Sequence, residues 1–143
     1  MEGSLAHAFI SYVRENSGIV DRLASELRSR GIDVFVDRDS IYPGLRWKDA
    51  INKAIQEGAF FIACFSHKLT ERPQTYMYGE IRLAVDRLRQ MPRDRAWFIP
   101  VVLDDANIPY IPISDYEKLS DIQYVSLSKD WNGGIRKILR SMK

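Results

Sequence analysis

An acid and an aromatic residue stand one helical turn apart in the run TYMYGEI, which covers residues 75–81. If this run is helical, the i, i+4 spacing places the Tyr76 ring and the Glu80 carboxylate on the same face. A carboxylate can stabilise positive charge that develops in a transition state, and a ring beside it can form a packing wall. The same pair also has an ordinary interpretation, because a glutamate on an amphipathic helix is usually solvated and an aromatic residue usually packs.

Length and composition indicate one globular domain spanning residues 1–143. The chain is 45% hydrophobic and 28% charged, which is typical of a folded domain. No run approaches the roughly 20 apolar residues of a membrane span, and the first residues do not resemble a signal peptide. We therefore expect a cytoplasmic protein without a membrane partner. The net charge of +2 is too small to favour nucleic acid as a partner.

Cysteine and histidine, the residues that form disulfides and zinc sites, are scarce. Cys64 is the single cysteine, so an internal disulfide is excluded. Its apolar surroundings predict a small buried side chain. The two histidines, His7 and His67, are far apart in the sequence, and we expect neither a metal site nor a bound cofactor.

Short apolar runs alternate with helical patterns along the chain. Gly31 is placed to end the first helix, and Pro100 predicts an edge or a bulge in the fourth strand. The segment 104–121 predicts irregular chain. Such an alternation predicts a parallel sheet of about five strands with helices on both faces. The predicted strands cover residues 7–11, 32–36, 59–65, 97–103 and 124–127, and the predicted helices follow the first three strands and close the chain at 131–142.

Three common families with this architecture lack their signatures here. The first strand is not followed by GxGxxG, and GK[ST] does not occur, so the dinucleotide fold and the P-loop are disfavoured. A phospho-acceptor receiver domain would carry acids at the ends of the first and third strands. Ser11 and Ser66 stand there instead.

Several separated segments resemble, in order, the Toll/interleukin-1 receptor (TIR) domain family. The resemblance covers residues 7–141, and one departure is that Tyr76 stands where the family usually has tryptophan, with Met77 where a cysteine commonly follows. The matching segments are FISY at 9–12, Arg14 with NSG at 16–18, VFVD at 34–37 followed by Ile41, Gly44 and Trp47, the third-strand ending at 63–66, and Tyr76 with Glu80.

This resemblance implies a flavodoxin-like three-layer TIR fold and cleavage of NAD+ between nicotinamide and ribose, with NAD+ as substrate. Most glycoside cleavage needs two carboxylates, one of them to protonate the leaving oxygen. Nicotinamide leaves as a neutral molecule, so no acid is required, and one carboxylate can stabilise the oxocarbenium-like transition state. We expect Glu80 to have this role. The product is ADP-ribose or a cyclic isomer, depending on what captures the cation.

The resemblance also implies substrate contacts and an assembly loop. Residues for the substrate are expected at the end of the first strand, at the end of the second strand and beside the glutamate, and the so-called BB loop is expected to cover the site or dock on another TIR domain. The expected substrate-binding residues are Phe9, Tyr12, Arg14, Asp37 and Tyr76. The expected BB-loop residues are Ile41, Tyr42, Pro43, Gly44, Leu45, Arg46 and Trp47.

Two main interpretations follow from this resemblance. In the first, the domain is an NAD+ nucleosidase that is activated by self-association. It would act as an immune or cell-death effector of a prokaryotic type, and it would be one module of a longer chain that also contains a sensor domain. In the second, it is a TIR adaptor that acts only by binding other TIR domains. Glu80 favours the enzyme, because many scaffolding members lack it. A hydrolase acting on other nucleotides is a third and weaker interpretation.

Overall fold

The computed structural model describes residues 7–36, 49, 52–53, 60–71, 76–92 and 96–142. The predicted BB loop, Ile41 to Trp47, and Asp37 before it lie outside these residues. Of the second predicted helix, only positions 49, 52 and 53 are described, and their backbone is helical.

Seven strands and four helices make up the described elements. The strands are β1 (His7–Ser11), β2 (Asp33–Val36), β3 (Phe60–Phe65), β4 (Phe98–Val102), β5 (Pro112–Ser114), β6 (Glu117–Lys118) and β7 (Val125–Ser126). The helices are α1 (Ser17–Ser29), α2 (His67–Thr70), α3 (Tyr76–Leu88) and α4 (Trp131–Ser141), with 3-10 turns at Arg14–Asn16 and Leu119–Asp121. No helix among the described residues is long and apolar enough to cross a membrane.

Five of the strands form one parallel sheet in the order β2-β1-β3-β4-β7. This confirms the α/β, flavodoxin-like fold expected from the sequence. The chain passes from β1 to one side to form β2, then crosses to the other side to form β3. In sheets of this order, the carboxyl ends of β1 and β3 border a crevice where ligands commonly bind.

Side chains alternate between two cores, one on each face of the sheet. On one face, α1 and α4 cover Ala8, Ile10, Ile62 and Cys64. On the other, α3 and the β5–β6 hairpin cover Phe9, Phe61, Ala63 and Phe65. Since β3 is buried on both faces, its continuous apolar sequence FFIACF is accounted for.

Gly31 ends α1 as the sequence predicts. Its φ of 86° is a left-handed conformation that glycine adopts without steric cost. The Gly31 N–H donates to the Arg28 carbonyl at 3.0 Å, and the Ile32 N–H donates to the Leu27 carbonyl at 3.1 Å. These two bonds form a Schellman motif, and the chain leaves it directly into β2.

The prediction for Pro100 is confirmed in part. β4 is an inner strand between β3 and β7, but its residues up to Pro100 have no strand partner on the β7 side. Val102 faces β7, since its carbonyl accepts the Leu127 N–H at 3.0 Å. By alternation the Pro100 nitrogen points to the same side, but β7 pairs only with Val101 and Val102. The missing N–H therefore removes no ladder hydrogen bond, and proline is tolerated inside the sheet.

Two further elements were not predicted from the sequence. The segment 104–121 contains the antiparallel hairpin β5–β6, which is only three and two residues long. Directly after β3, the short helix α2 begins at His67, and the Ser66 side chain caps it by accepting the Leu69 N–H. A serine before a polar run is an N-cap signal that could have located this helix.

Candidate functional site

Glu80 lies on the sheet-facing side of α3 and is only 2% exposed. Its neighbours on this side of the helix, Met77, Ile81 and Ala84, pack in the core that covers β1 and β3. The sequence left open that Glu80 is a solvated surface residue, and the structure rules this out. An ionisable side chain so deeply buried is costly unless it is hydrogen-bonded.

The hydrogen bond comes from the last residue of β1. Ser11 Oγ donates to Glu80 Oε1 at 2.6 Å, and Ser11 is completely buried. This distance lies within the ordinary range of an O–H···O hydrogen bond. Because Ser11 ends β1 and pairs with Ala63 of β3, the carboxylate is fixed at the point where the crevice between β1 and β3 begins.

A second hydrogen bond joins the segments that follow β1 and β3. Ser66 Oγ donates to Asn16 Oδ1 at 2.6 Å, across 50 positions of sequence. Asn16 closes the 3-10 turn Arg14–Asn16, and Ser66 directly follows β3. Both hydrogen-bonded pairs therefore lie at the carboxyl edge of the same two strands, where the sequence predicts the site.

The expected substrate-binding residues separate into different environments. Arg14 is exposed on the turn after β1. Tyr12 follows β1 but is only 8% exposed and packs in the core on the α1 and α4 side. Tyr76 is the first residue of α3, one turn before Glu80, and its side chain lies outside the described residues.

Phe9 differs from its expected position at the strand end. It lies in the middle of β1, is 2% exposed, and stacks on Phe61 with ring centroids 5.8 Å apart. Strand alternation places Phe9 on the same face as Ser11, one pleat further into the core. Phe9 therefore packs in the core on the side of the sheet where Ser11 binds Glu80.

A histidine and two aspartates meet at the neighbouring carboxyl ends of β3 and β4. The potential ligand atoms of His67, Asp104 and Asp105 all lie within 4.8 Å of one another. These atoms already have partners: His67 Nε2 contacts Asp105 Oδ1 at 2.6 Å, and the two Asp104 oxygens accept the His67 and Ala106 N–H groups. An ion pair and a loop closure account for this cluster, which the sequence did not predict.

The contact with Asp105 raises the pKa of His67 above its ordinary 6.5, and His67 in turn lowers the pKa of Asp105. The protonated histidine is the stabilised form, so the pair contributes stability below the ordinary histidine pKa and loses it as pH rises through the folded-state pKa. At low pH the contribution falls again, when Asp105 becomes protonated.

We expect Asp105→Asn to lower the pKa of His67, because its strongest hydrogen-bond acceptor loses its charge. Titration of the His67 ring by NMR in the wild type and in the variant measures the change. An unchanged His67 titration in the variant would contradict the pairing.

Two other features lie apart from Glu80. Burial raises the pKa of the Cys64 thiol to about 12, which fits the small buried side chain predicted from the sequence. A groove of about 760 Å³ opens at the amino end of β4, lined by residues that include Trp97, Ile113 and Arg140. Glu80 does not line this groove, because it lies at the carboxyl edge of the sheet, opposite the amino end of β4.

The sequence did not predict the hydrogen bonds that Ser11, Asn16 and Ser66 make at the edge of the sheet. In the sequence, both serines replace the acids of a receiver domain and belong to segments that resemble the TIR family, but neither was predicted as a site residue. Their position at the carboxyl ends of β1 and β3 was the signal that could have identified them as site residues.

Comparison with known proteins agrees with this architecture. No curated protein sequence matches the chain. A family model described as the TIR domain matches residues 8–139, which include every strand of the parallel sheet except the first residue of β1. The match covers most of the 143 residues, and the chain belongs to the TIR domain family.

Proposed function

We propose that this TIR domain is an NAD+ nucleosidase in which Glu80 is the catalytic residue. The observation that carries the proposal is the Glu80 carboxylate, buried at the β1/β3 crevice and bound by the Ser11 hydroxyl. A solvated glutamate on this helix would not be held in place in this way. Electrostatic groups stabilise a transition state most when they are held in place before the reaction.

The chemistry requires one bond to break and one to form. The bond between ribose C1′ and the nicotinamide nitrogen breaks, and its electron pair stays on the nitrogen, so nicotinamide leaves as a neutral molecule. Glu80 stabilises the positive charge that remains on the ribose. Water then captures the cation and gives ADP-ribose and a proton, or an atom of the same molecule captures it and gives a cyclic isomer.

Burial of Glu80 favours regulation by self-association. At 2% exposure the carboxylate has almost no surface for a substrate, so the crevice must widen before NAD+ can reach it. TIR domains interact with one another, and we propose that such contacts stabilise the open crevice. A sensor domain in a longer chain would supply the clustering in the cytoplasm during an immune or cell-death response.

The same burial gives some support to a second function, a non-catalytic adaptor. In that case the Ser11–Glu80 hydrogen bond only ties α3 to β1, and the domain acts by binding other TIR domains. The His67–Asp105 pair and the exposed Arg14 are compatible with either function.

Nicotinamide release measured against protein concentration separates the two functions. We expect the rate per protomer to rise with concentration, because assembly opens the crevice. Fusion to an oligomeric carrier should raise the rate at low concentration. An assembled protein that releases no nicotinamide at any concentration would instead identify the domain as an adaptor.

A further inference from the structure

The groove of about 760 Å³ at the amino end of β4 lies at the opposite edge of the sheet from Glu80. It follows from the pairing of β7, which reaches only Val101 and Val102 and leaves the first half of β4 without a strand on that side. The end of α3, the β5–β6 hairpin, the chain that leads into β7 and the last turns of α4 border the space. Its volume lies within the roughly 300–1,000 Å³ that is typical of small-molecule sites.

Most side chains that line the groove are apolar. Phe98 and Ile113 are buried, and Leu88, Met91 and Ile122 are half-buried. A ligand that covers these side chains removes apolar surface from water. Each CH₂ group buried in this way strengthens binding about fourfold. The groove therefore suits a ligand with an apolar body.

Two cations on α4 line the groove without a partner. Lys137 and Arg140 are exposed and, three positions apart, are neighbours on the helix surface. Neither side chain forms an ion pair or a hydrogen bond with any residue that the structure describes. Basic residues are common in the last turns of a helix, where they offset its dipole. Here they also border an apolar space, and a bound anion would relieve their mutual repulsion.

The remaining charged groups of the lining do not oppose an anion. Arg89 donates through Nε to the Ile113 carbonyl and through Nη1 to Asp86 Oδ1, the second at 2.6 Å. Glu117 is the single acid among the described lining residues, and it already takes part in another interaction. Three cations against one acid leave an excess of positive charge around the groove.

We propose that this groove binds an amphipathic carboxylate, a small molecule with an acid at one end and an unbranched apolar chain behind it. The carboxylate binds Lys137 and Arg140, and the chain packs against Leu88, Met91 and Ile122. A fatty acid of medium chain length has this chemistry. The site is separate from Glu80 and does not depend on the proposed function.

Isothermal titration calorimetry with dodecanoate, below the concentration at which micelles form, tests the proposal. Dodecylammonium is the matched control ligand, because it has the same chain and the opposite charge. We expect dodecanoate to bind the wild type about tenfold more tightly than dodecylammonium. Within the series from octanoate to dodecanoate, each added CH₂ group should tighten binding about fourfold.

Two double variants with the same loss of charge test the cations. Lys137→Gln combined with Arg140→Gln should weaken dodecanoate binding about tenfold and leave dodecylammonium binding no weaker. Lys129→Gln combined with Arg136→Gln changes two exposed residues that do not line the groove, and both affinities should stay within about twofold of the wild type. Ile122→Ala shortens the apolar wall and should weaken both ligands alike. Thermal unfolding verifies that each variant folds.

Three results would overturn the proposal. The first is equal affinity of the wild type for dodecanoate and dodecylammonium, and the second is unchanged dodecanoate affinity when Lys137 and Arg140 are both replaced. The third is a protein that binds no carboxylate of the series. If such a protein loses self-association in Ile122→Ala, the groove holds a second copy of the chain instead. Nicotinamide release is a separate measurement, so none of these results decides the role of Glu80.

Discussion

Glu80→Gln is expected to lower the rate of nicotinamide release about 10²- to 10³-fold, the range found when one charge-stabilising group is removed from an active site. Glutamine keeps an oxygen that can accept the Ser11 hydroxyl at nearly the same place. Glutamine carries no negative charge, however, and in the proposed mechanism it cannot stabilise the cation on the ribose. Steady-state nicotinamide release, measured above the concentration at which the wild-type rate saturates, gives the comparison.

Asp86→Asn is the matched control for this prediction. Asp86 lies on the same helix, α3, but is exposed and pairs with Arg89 at 2.6 Å. The same change from acid to amide should leave the rate close to that of the wild type, because Asp86 is exposed and does not share the buried position of Glu80. Loss of the ion pair with Arg89 should also change stability little, since exposed ion pairs contribute little to the free energy of unfolding. Thermal unfolding followed by circular dichroism would verify that both variants fold. A Glu80→Gln protein with the wild-type rate would remove Glu80 from the mechanism.

Phe61→Ala is expected to lower the free energy of unfolding by about 3–5 kcal/mol. Phe61 lies in β3, is fully buried, and contacts three aromatic rings, with centroid distances of 5.8 Å to Phe9, 6.1 Å to Trp97 and 5.2 Å to Phe98. Truncation to alanine leaves a cavity, and the neighbouring rings, which lie on β1, on β4 or directly before β4, cannot move enough to fill it. The loss is a large part of the about 5–15 kcal/mol by which a typical domain is stable.

Denaturant unfolding measures this loss, and two variants calibrate it. Phe61→Leu keeps most of the volume and should lose clearly less stability than Phe61→Ala. Tyr116→Ala removes an aromatic ring that is 97% exposed, and the expected change is within about 0.5 kcal/mol. If Phe61→Ala lowers the free energy of unfolding no more than Tyr116→Ala does, packing of the Phe61 ring does not stabilise the fold as expected.

The parallel sheet was predictable because its signals are local. The apolar run of β3 and the glycine that ends α1 each depend on a few neighbouring residues. What a strand pairs with is not local, so the sequence around Pro100 does not show that β4 lies inside the sheet. Whether a proline removes a hydrogen bond depends on where β7 begins, more than twenty residues further along the chain. The two-residue strand β6 is too short for any periodicity to show.

The candidate site was predictable in its chemistry but not in its contacts. Glu80 at the carboxyl edge of the sheet stays a prediction from the sequence, and its hydrogen-bond partner Ser11, 69 positions away, was not predicted. Burial of Glu80 follows from the way α3 packs on β1, which a helical pattern alone does not specify. The Asn16–Ser66 bond was hidden for a related reason, because an asparagine before a helix normally indicates a cap.

The reaction of the buried Cys64 thiol with a labelling reagent can be used to measure how often the sheet opens. Its pKa of about 12 leaves almost no thiolate at neutral pH, and the side chain has no exposed surface. A thiol reagent can therefore react only when the sheet opens, and the labelling rate measures how often this happens. Since Cys64 is the single cysteine, a cysteine introduced at any exposed position can be labelled selectively while the native one stays silent.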